Sequence, residues 1–158
     1  MAASGRHTGW RYDPTNSRLD FYYRGTRIGH INGSQMSLAA GDLALVAGTL
    51  DVEDGGTVTQ ATSKSTGATL STNSGQITMD DANLADDTEI SFVVTNTNVA
   101  ATDVIIVNHG SAGTMGAYVV QASNIGSGTF EISVKNVSGG TLGQAIVINF
   151  VVIKGASS

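Results

Sequence analysis

The sequence predicts an all-β protein, an antiparallel β-sandwich or jelly-roll-like barrel preceded by an extended N-terminal arm and a hairpin. Three observations carry that expectation. The 158 residues include 15 Val and 11 Ile, set in short runs such as Val104–Val107 and Ile146–Ile153, and β-branched side chains suit a pleated, half-buried surface. Gly, Ser, Thr and Asn supply 64 residues, concentrated between those runs, where each favours turns for its own conformational reason. After Gly55, seven strand-length runs follow one another at short spacing, the pattern of a sandwich or barrel.

Residues 1–17 carry Gly5, Gly9 and Pro14 with several turn formers and read as an extended arm that would be ordered by what it touches. Leu19–Tyr23 and Arg27–Ile31 then flank Arg24-Gly-Thr26, a short loop whose glycine suits a positive φ, so a β-hairpin is expected. Alternation would place Leu19, Phe21 and Tyr23 on one face, with Asp20 and Tyr22 on the other. Asn32-Gly-Ser34 breaks the strand. Met36–Ala40 and Leu43–Val46 fit either one or two helical turns or two weak strands, since Gly41 and Gly48 bound them. Asp51–Gly56 reads as a linker. The expected division is therefore 1–54 for arm, hairpin and linker, and 55–158 for the sandwich module.

Within the module the expected strands are Val58–Thr62, Gln76–Met79, Glu89–Thr95, Val104–Asn108, Ala117–Ser123, Thr129–Asn136 and Ala145–Ile153. The separators are Ser63–Gly75, Asp80–Thr88, Asn96–Thr102, Gly110–Gly116, Asn124–Gly128 and Val137–Gly143. Thr129–Asn136 alternates cleanly, which aims Phe130, Ile132 and Val134 at the core and Glu131, Ser133 and Lys135 at solvent. Ala145–Ile153 is nearly continuous in apolar residues, as expected of a central strand or one covered on both faces.

Charge is placed unevenly. Residues 1–30 hold Arg6, Arg11, Arg18, Arg24 and Arg27 against Asp13 and Asp20, while the remainder holds three Lys against eleven acids. The aromatics follow the Arg residues: Trp10, Tyr12, Phe21, Tyr22 and Tyr23 lie in the first 30 residues. Arg, Trp and Tyr are the residue types enriched where proteins bind proteins. Arg6, Trp10, Arg11, Tyr12, Arg18, Phe21, Tyr22, Tyr23, Arg24 and Arg27 are accordingly the candidate partner-binding residues. A nucleic-acid partner is not expected, because the local excess of positive charge is small and the acidic remainder would repel phosphate. No membrane partner is expected either: Met1–Gly9 is polar without an apolar leader core, and the apolar runs are strand-length. The absence of cysteine fits a chain made in a reducing cytoplasm.

No catalytic constellation emerges, so an enzyme is not expected. His7, His30 and His109 lack metal-ligand spacing, and neither a GxSxG elbow nor a Cys nucleophile is present. Gly110–Gly116 is glycine-rich but lacks a P-loop lysine and reads as a hairpin loop. Asp80–Glu89 packs five acids into ten residues. Oxygen ligands at that density could hold Ca²⁺, but their spacing departs from the EF-hand pattern, and a solvated acidic loop is expected. No metal or cofactor is assigned.

In order, Gly55–Leu70, Ser74–Met79, Ser91–Asn96, Val134–Gly140 and Ile148–Gly155 resemble a β-domain of tailed-bacteriophage virion proteins, found in head decoration (cement) proteins and in tail or fibre proteins. The resemblance covers residues 55–155. It implies a structural protein without catalytic residues. The small size, single module and N-terminal arm favour a capsid decoration protein on the outer head surface of the virion. Its implied partners are the major capsid protein and itself, as a homotrimer. The alternative is a tail, baseplate or fibre-attached module that binds a receptor or glycan.

Overall fold

The computed structural model describes residues 8–33, 35–39, 43, 45, 48–52 and 55–155. Among them every regular element is a strand. The chain divides between Leu50 and Asp51 into two compact units, each with its own sheet structure.

The first unit is a four-stranded antiparallel meander, β1 (Gly9–Asp13), β2 (Arg18–Tyr23), β3 (Thr26–Ile31) and β4 (Met36–Leu38), paired in chain order. The expected hairpin is present, closed by Arg24 and Gly25 alone. Both have positive φ, 50° and 84°, the paired left-handed geometry that matches strand twist in two-residue hairpin loops. The arm expectation is corrected over residues 9–13, which form a strand rather than a free extension. The cause is the Pro14–Ser17 turn: Asp13 Oδ1 accepts from the Thr15 and Asn16 amides at 3.1 and 3.3 Å, and the chain folds back onto β2 in register. Met36–Leu38 takes the strand alternative. Its hairpin is closed by Asn32, whose amide donates to Gln35 O and whose Oδ1 accepts from Gln35 N. Positions 40, 44 and 46 of the ambiguous segment, together with residues 1–7 of the arm, lie outside the described residues.

The second unit is a sandwich of two four-stranded sheets. One has the order β10-β11-β8-β6, built from β10 (Tyr118–Gly126), β11 (Thr129–Asn136), β8 (Glu89–Thr95) and β6 (Ala68–Thr69). The other has the order β5-β7-β12-β9, built from β5 (Thr57–Thr59), β7 (Ser74–Thr78), β12 (Val147–Ile153) and β9 (Val104–Ser111). All seven expected strands are present. Two corrections apply. Ala68–Thr69, assigned to a separator, is an eighth strand, and β5/β7 and β6/β8 pair in parallel, so the module is mostly rather than wholly antiparallel. Neither sheet closes on itself, which decides for sandwich over barrel.

Ile77, Phe92, Val94, Phe130, Ile132, Val134, Ile148 and Phe150 form the centre of the core between the sheets. The period-two pattern of β11 aims Phe130, Ile132 and Val134 inward as expected. On its outer face Ser133 is buried rather than solvated, because its hydroxyl lies 2.8 Å from that of Ser91 on β8. β12 is the central strand of its sheet and alternates in burial; its outward valines are half-buried, so its long apolar run reflects position within the sheet.

Buried polar side chains fasten the loops. Asn136 donates to Leu84 O and Gly140 O at 2.8 and 2.7 Å and accepts from Ser138 N. Asn96 plays the same part after β8, donating to Thr72 O and accepting from Asn98 N. The buried Lys64 ammonium donates to the backbone carbonyls of Asp80 and Gln144. Burial holds its pKa below the ordinary lysine range, against the opposing pull of Asp80 and Asp81.

Candidate functional site: a two-faced N-terminal sheet

Residues opposite one another in an antiparallel ladder share a face, so the registers of the first unit sort its candidate residues. Trp10 stands opposite Phe21, and Tyr12 opposite Leu19. Leu19 is in turn opposite Ile31, and Ile31 opposite Met36; Phe21 is opposite Gly29, and Gly29 opposite Leu38. With Tyr23, these make one face that is apolar from edge to edge. Much of it is exposed: Trp10 68%, Met36 63%, Tyr12 57% and Tyr23 54%.

The other face carries the charge. Asp13 pairs with Arg18, Arg11 with Asp20, Tyr22 with Arg27 and Asp20 with His30. Asp20 is buried at 3% exposure, with Arg18 Nε 2.9 Å and Arg27 Nη1 3.4 Å from its Oδ1. Arg18 also reaches Asp13 at 3.2 Å. The Asn16 side-chain amide, 2.7 Å away, is the main cause holding the Asp13 carboxyl below its ordinary pKa, with Arg18 contributing. Asp20 and Tyr22 lie opposite the aromatic face, as alternation predicts, but burial differs from what polarity suggests. The carboxylate is enclosed because two guanidiniums satisfy it, whereas the aromatics on the reverse face stay open. A register shift between Phe21 and Tyr22 places Ile28 as the extra residue of β3, a bulge that increases local twist.

The structure therefore separates the candidates. Trp10, Tyr12, Phe21 and Tyr23 come together on the apolar face. Arg11, Arg18, Tyr22 and Arg27 belong to the charged face, and Arg24 sits in the turn with its guanidinium 5.2 Å from the Tyr23 ring centroid. Arg6 lies outside the described residues. Sequence reasoning missed Ile31, Met36 and Leu38 as members of the apolar face. Their signal was available as Met36-x-Leu38 alternation, but only the β3–β4 register ties it to Trp10.

Among the described residues no three His, Cys, Asp or Glu side chains converge into a metal-ligand set. The acids of 80–89 are engaged separately. Asp80 Oδ1 accepts from Ala82 N at 2.8 Å, Asp86 Oδ1 accepts from Gly139 N at 2.8 Å, and Asp87 pairs with Lys135 at 2.5 Å. Leu84, buried, bridges this loop to Leu142. His30 is on the charged face, His109 is in the module with its ring edge-on to Tyr118, and His7 lies outside the described residues. No protein-family model matches the chain, and no curated protein and no solved structure matches it.

Proposed function

We propose that this chain is a virion structural protein of a tailed bacteriophage, a capsid decoration protein that holds the outer head lattice through its N-terminal sheet. The observation that supports this reading best is the exposed apolar face of that sheet. A sheet with one apolar face must bury it against another layer, and a face on which Trp10, Tyr12 and Tyr23 are each more than half exposed is the kind of contiguous apolar patch that marks an interaction site. Burying each such side chain is worth about 1.5–3 kcal/mol, enough over several residues to offset the roughly 4–15 kcal/mol cost of association. The phage assignment itself rests on the sequence resemblance of residues 55–155, and the homotrimer on the threefold lattice positions that such proteins occupy.

The mechanism is linkage: a protein that binds only the assembled shell stabilises it in proportion to its affinity and concentration. Two measurements test this. Copy number in purified virions should be stoichiometric with the major capsid protein; a handful of copies at one vertex overturns the reading in favour of the tail. Replacing Trp10 and Tyr12 by Ser should weaken binding to purified heads by about a hundredfold, from roughly 2–3 kcal/mol of lost burial, while module unfolding stays unchanged. Undiminished occupancy by that variant overturns the role of the sheet.

A further inference from the structure

The outer face of the β5-β7-β12-β9 sheet carries a row of uncharged polar side chains across all four strands. Thr57 stands opposite Gln76, Gln76 opposite Asn149, and Asn149 opposite Asn108. Gln76 Nε2 donates to Asn149 Oδ1 at 3.1 Å, and both amides are at the surface. Alongside lies a shallow, open depression of about 510 Å³, lined by Gly55, Thr57, Ser74, Gln76, Asn149 and Phe150. None of these lining residues is charged, although ten acids lie in residues 51–158.

We propose that this groove is a binding site for a neutral saccharide. An amide carries one acceptor oxygen and two N–H donors. The Gln76–Asn149 bond uses one donor and one acceptor site and leaves Gln76 Oε1 as an acceptor and Asn149 Nδ2 as a donor on the same bonded pair. An acceptor next to a donor matches two adjacent hydroxyls of a sugar, one donating and the next accepting. Thr57 adds a hydroxyl at the rim, Ser74 Oγ, which donates to Val52 O at 3.1 Å, adds an acceptor, and the absence of a side chain at Gly55 leaves the space. Among the described lining residues a phosphate or a cation would find no opposite charge. Gly110 holds the arrangement open: a Cβ there would lie 2.5 Å from Asn149 Nδ2, so a side chain at 110 would push the amide out of the row. No aromatic platform stacks on the ligand, so single-site affinity is on the order of 1 mM. The many copies of a decorated particle, as proposed above, would raise it through multivalency.

The test uses the full chain, ¹⁵N-labelled and titrated with maltotriose, lactose and chitotriose, with a sulfated disaccharide as the charged control. At least one neutral sugar should shift the Gln76 and Asn149 side-chain amide signals at millimolar concentration, and the sulfated one should not. Gln76→Ala and Asn149→Ala should each weaken binding about tenfold, as should Gly110→Ala, which removes no ligand-facing atom. Trp10→Ser should leave it unchanged. The proposal is overturned by unshifted amides up to about 50 mM of every neutral sugar, by equal response to the charged control, or by affinity that survives both amide substitutions in a folded protein. Head occupancy is a separate readout, so loss of either activity is distinguishable from loss of the other.

Discussion

Asp103 illustrates how single residues hold the module together. Its Oδ2 accepts from Ala100 N at 2.8 Å and from the Lys154 ammonium at 2.5 Å, and its Oδ1 accepts from Gly155 N at 3.0 Å. One buried carboxylate therefore ties the turn before β9 to the chain just after β12. A side chain at Gly155 would collide with the Thr102 carbonyl, so the close approach requires glycine there. The Ala100 amide first, then Lys154, lower the Asp103 pKa to about 2. A carboxylate with a depressed folded-state pKa stabilises above its unfolded value and loses that contribution as pH falls through the folded value. Urea unfolding of the wild type should therefore weaken between pH about 4 and about 2 more steeply than that of Asp103→Asn, which should be less stable at neutral pH. Parallel pH profiles for the two proteins would refute the assignment. None of this is visible in the sequence, where Asp103 is one acid among thirteen. Its role depends on residues 3, 51 and 52 positions away.

At the scale of elements, the strands were legible where period and composition agreed. Glu89–Thr95 and Thr129–Asn136 have the expected bounds, because apolar positions recur every second residue between clear turn signals. β6 was not legible: Ala68–Thr69 carries no large apolar side chain, and its strand character comes from pairing with Val94 and Thr95. β1 was hidden for a related reason. Gly9 and Pro14 read as turn formers, and only the Asp13 turn and the register with β2 show that the segment between them is a strand. Gly29 decides whether β4 stays in the first sheet. It lies across from Leu38, and an added Cβ would come within 2.5 Å of the Ser37 carbonyl oxygen. Gly29→Ala should separate β4 from β3 at a cost of about 1–3 kcal/mol. Amide exchange should accelerate at Met36–Leu38 while core amides of the module keep their protection. Unchanged exchange at β4 would show that the strand pair can absorb the methyl group.

For the whole molecule, the division at Leu50–Asp51 separates a two-faced sheet from a unit with its own core. Every residue of the main hydrophobic cluster lies between Val58 and Val152. A fragment of residues 51–158 should therefore unfold cooperatively, with a midpoint within a few degrees of that of the module in the full chain, and should fail to occupy purified heads. A fragment that is molten in near-UV circular dichroism would mean that the first unit is needed for the fold. Full occupancy by a folded fragment would move the proposed shell binding onto the module. The crowding of aromatic and Arg residues into the first 30 positions is legible in the sequence. Their division into an apolar face and a charged face was not, because it follows from cross-strand register.

The sequence by itself determined the all-β class, the strand-rich module after Gly55, the hairpin at Arg24-Gly25 and the concentration of interface-type side chains near the N-terminus. These follow from local physics: β-branching, period two, positive-φ glycine and composition. The tertiary structure alone decided sandwich over barrel, the parallel edge pairs, the enclosure of Asp20 between two guanidiniums and the joining of Met36 and Leu38 to Trp10 on one face. It also aligned Thr57, Gln76, Asn149 and Asn108 across four strands. Each of these depends on which distant residues a strand pairs with, and pairing is selected by burial over the whole chain rather than by any local run of it.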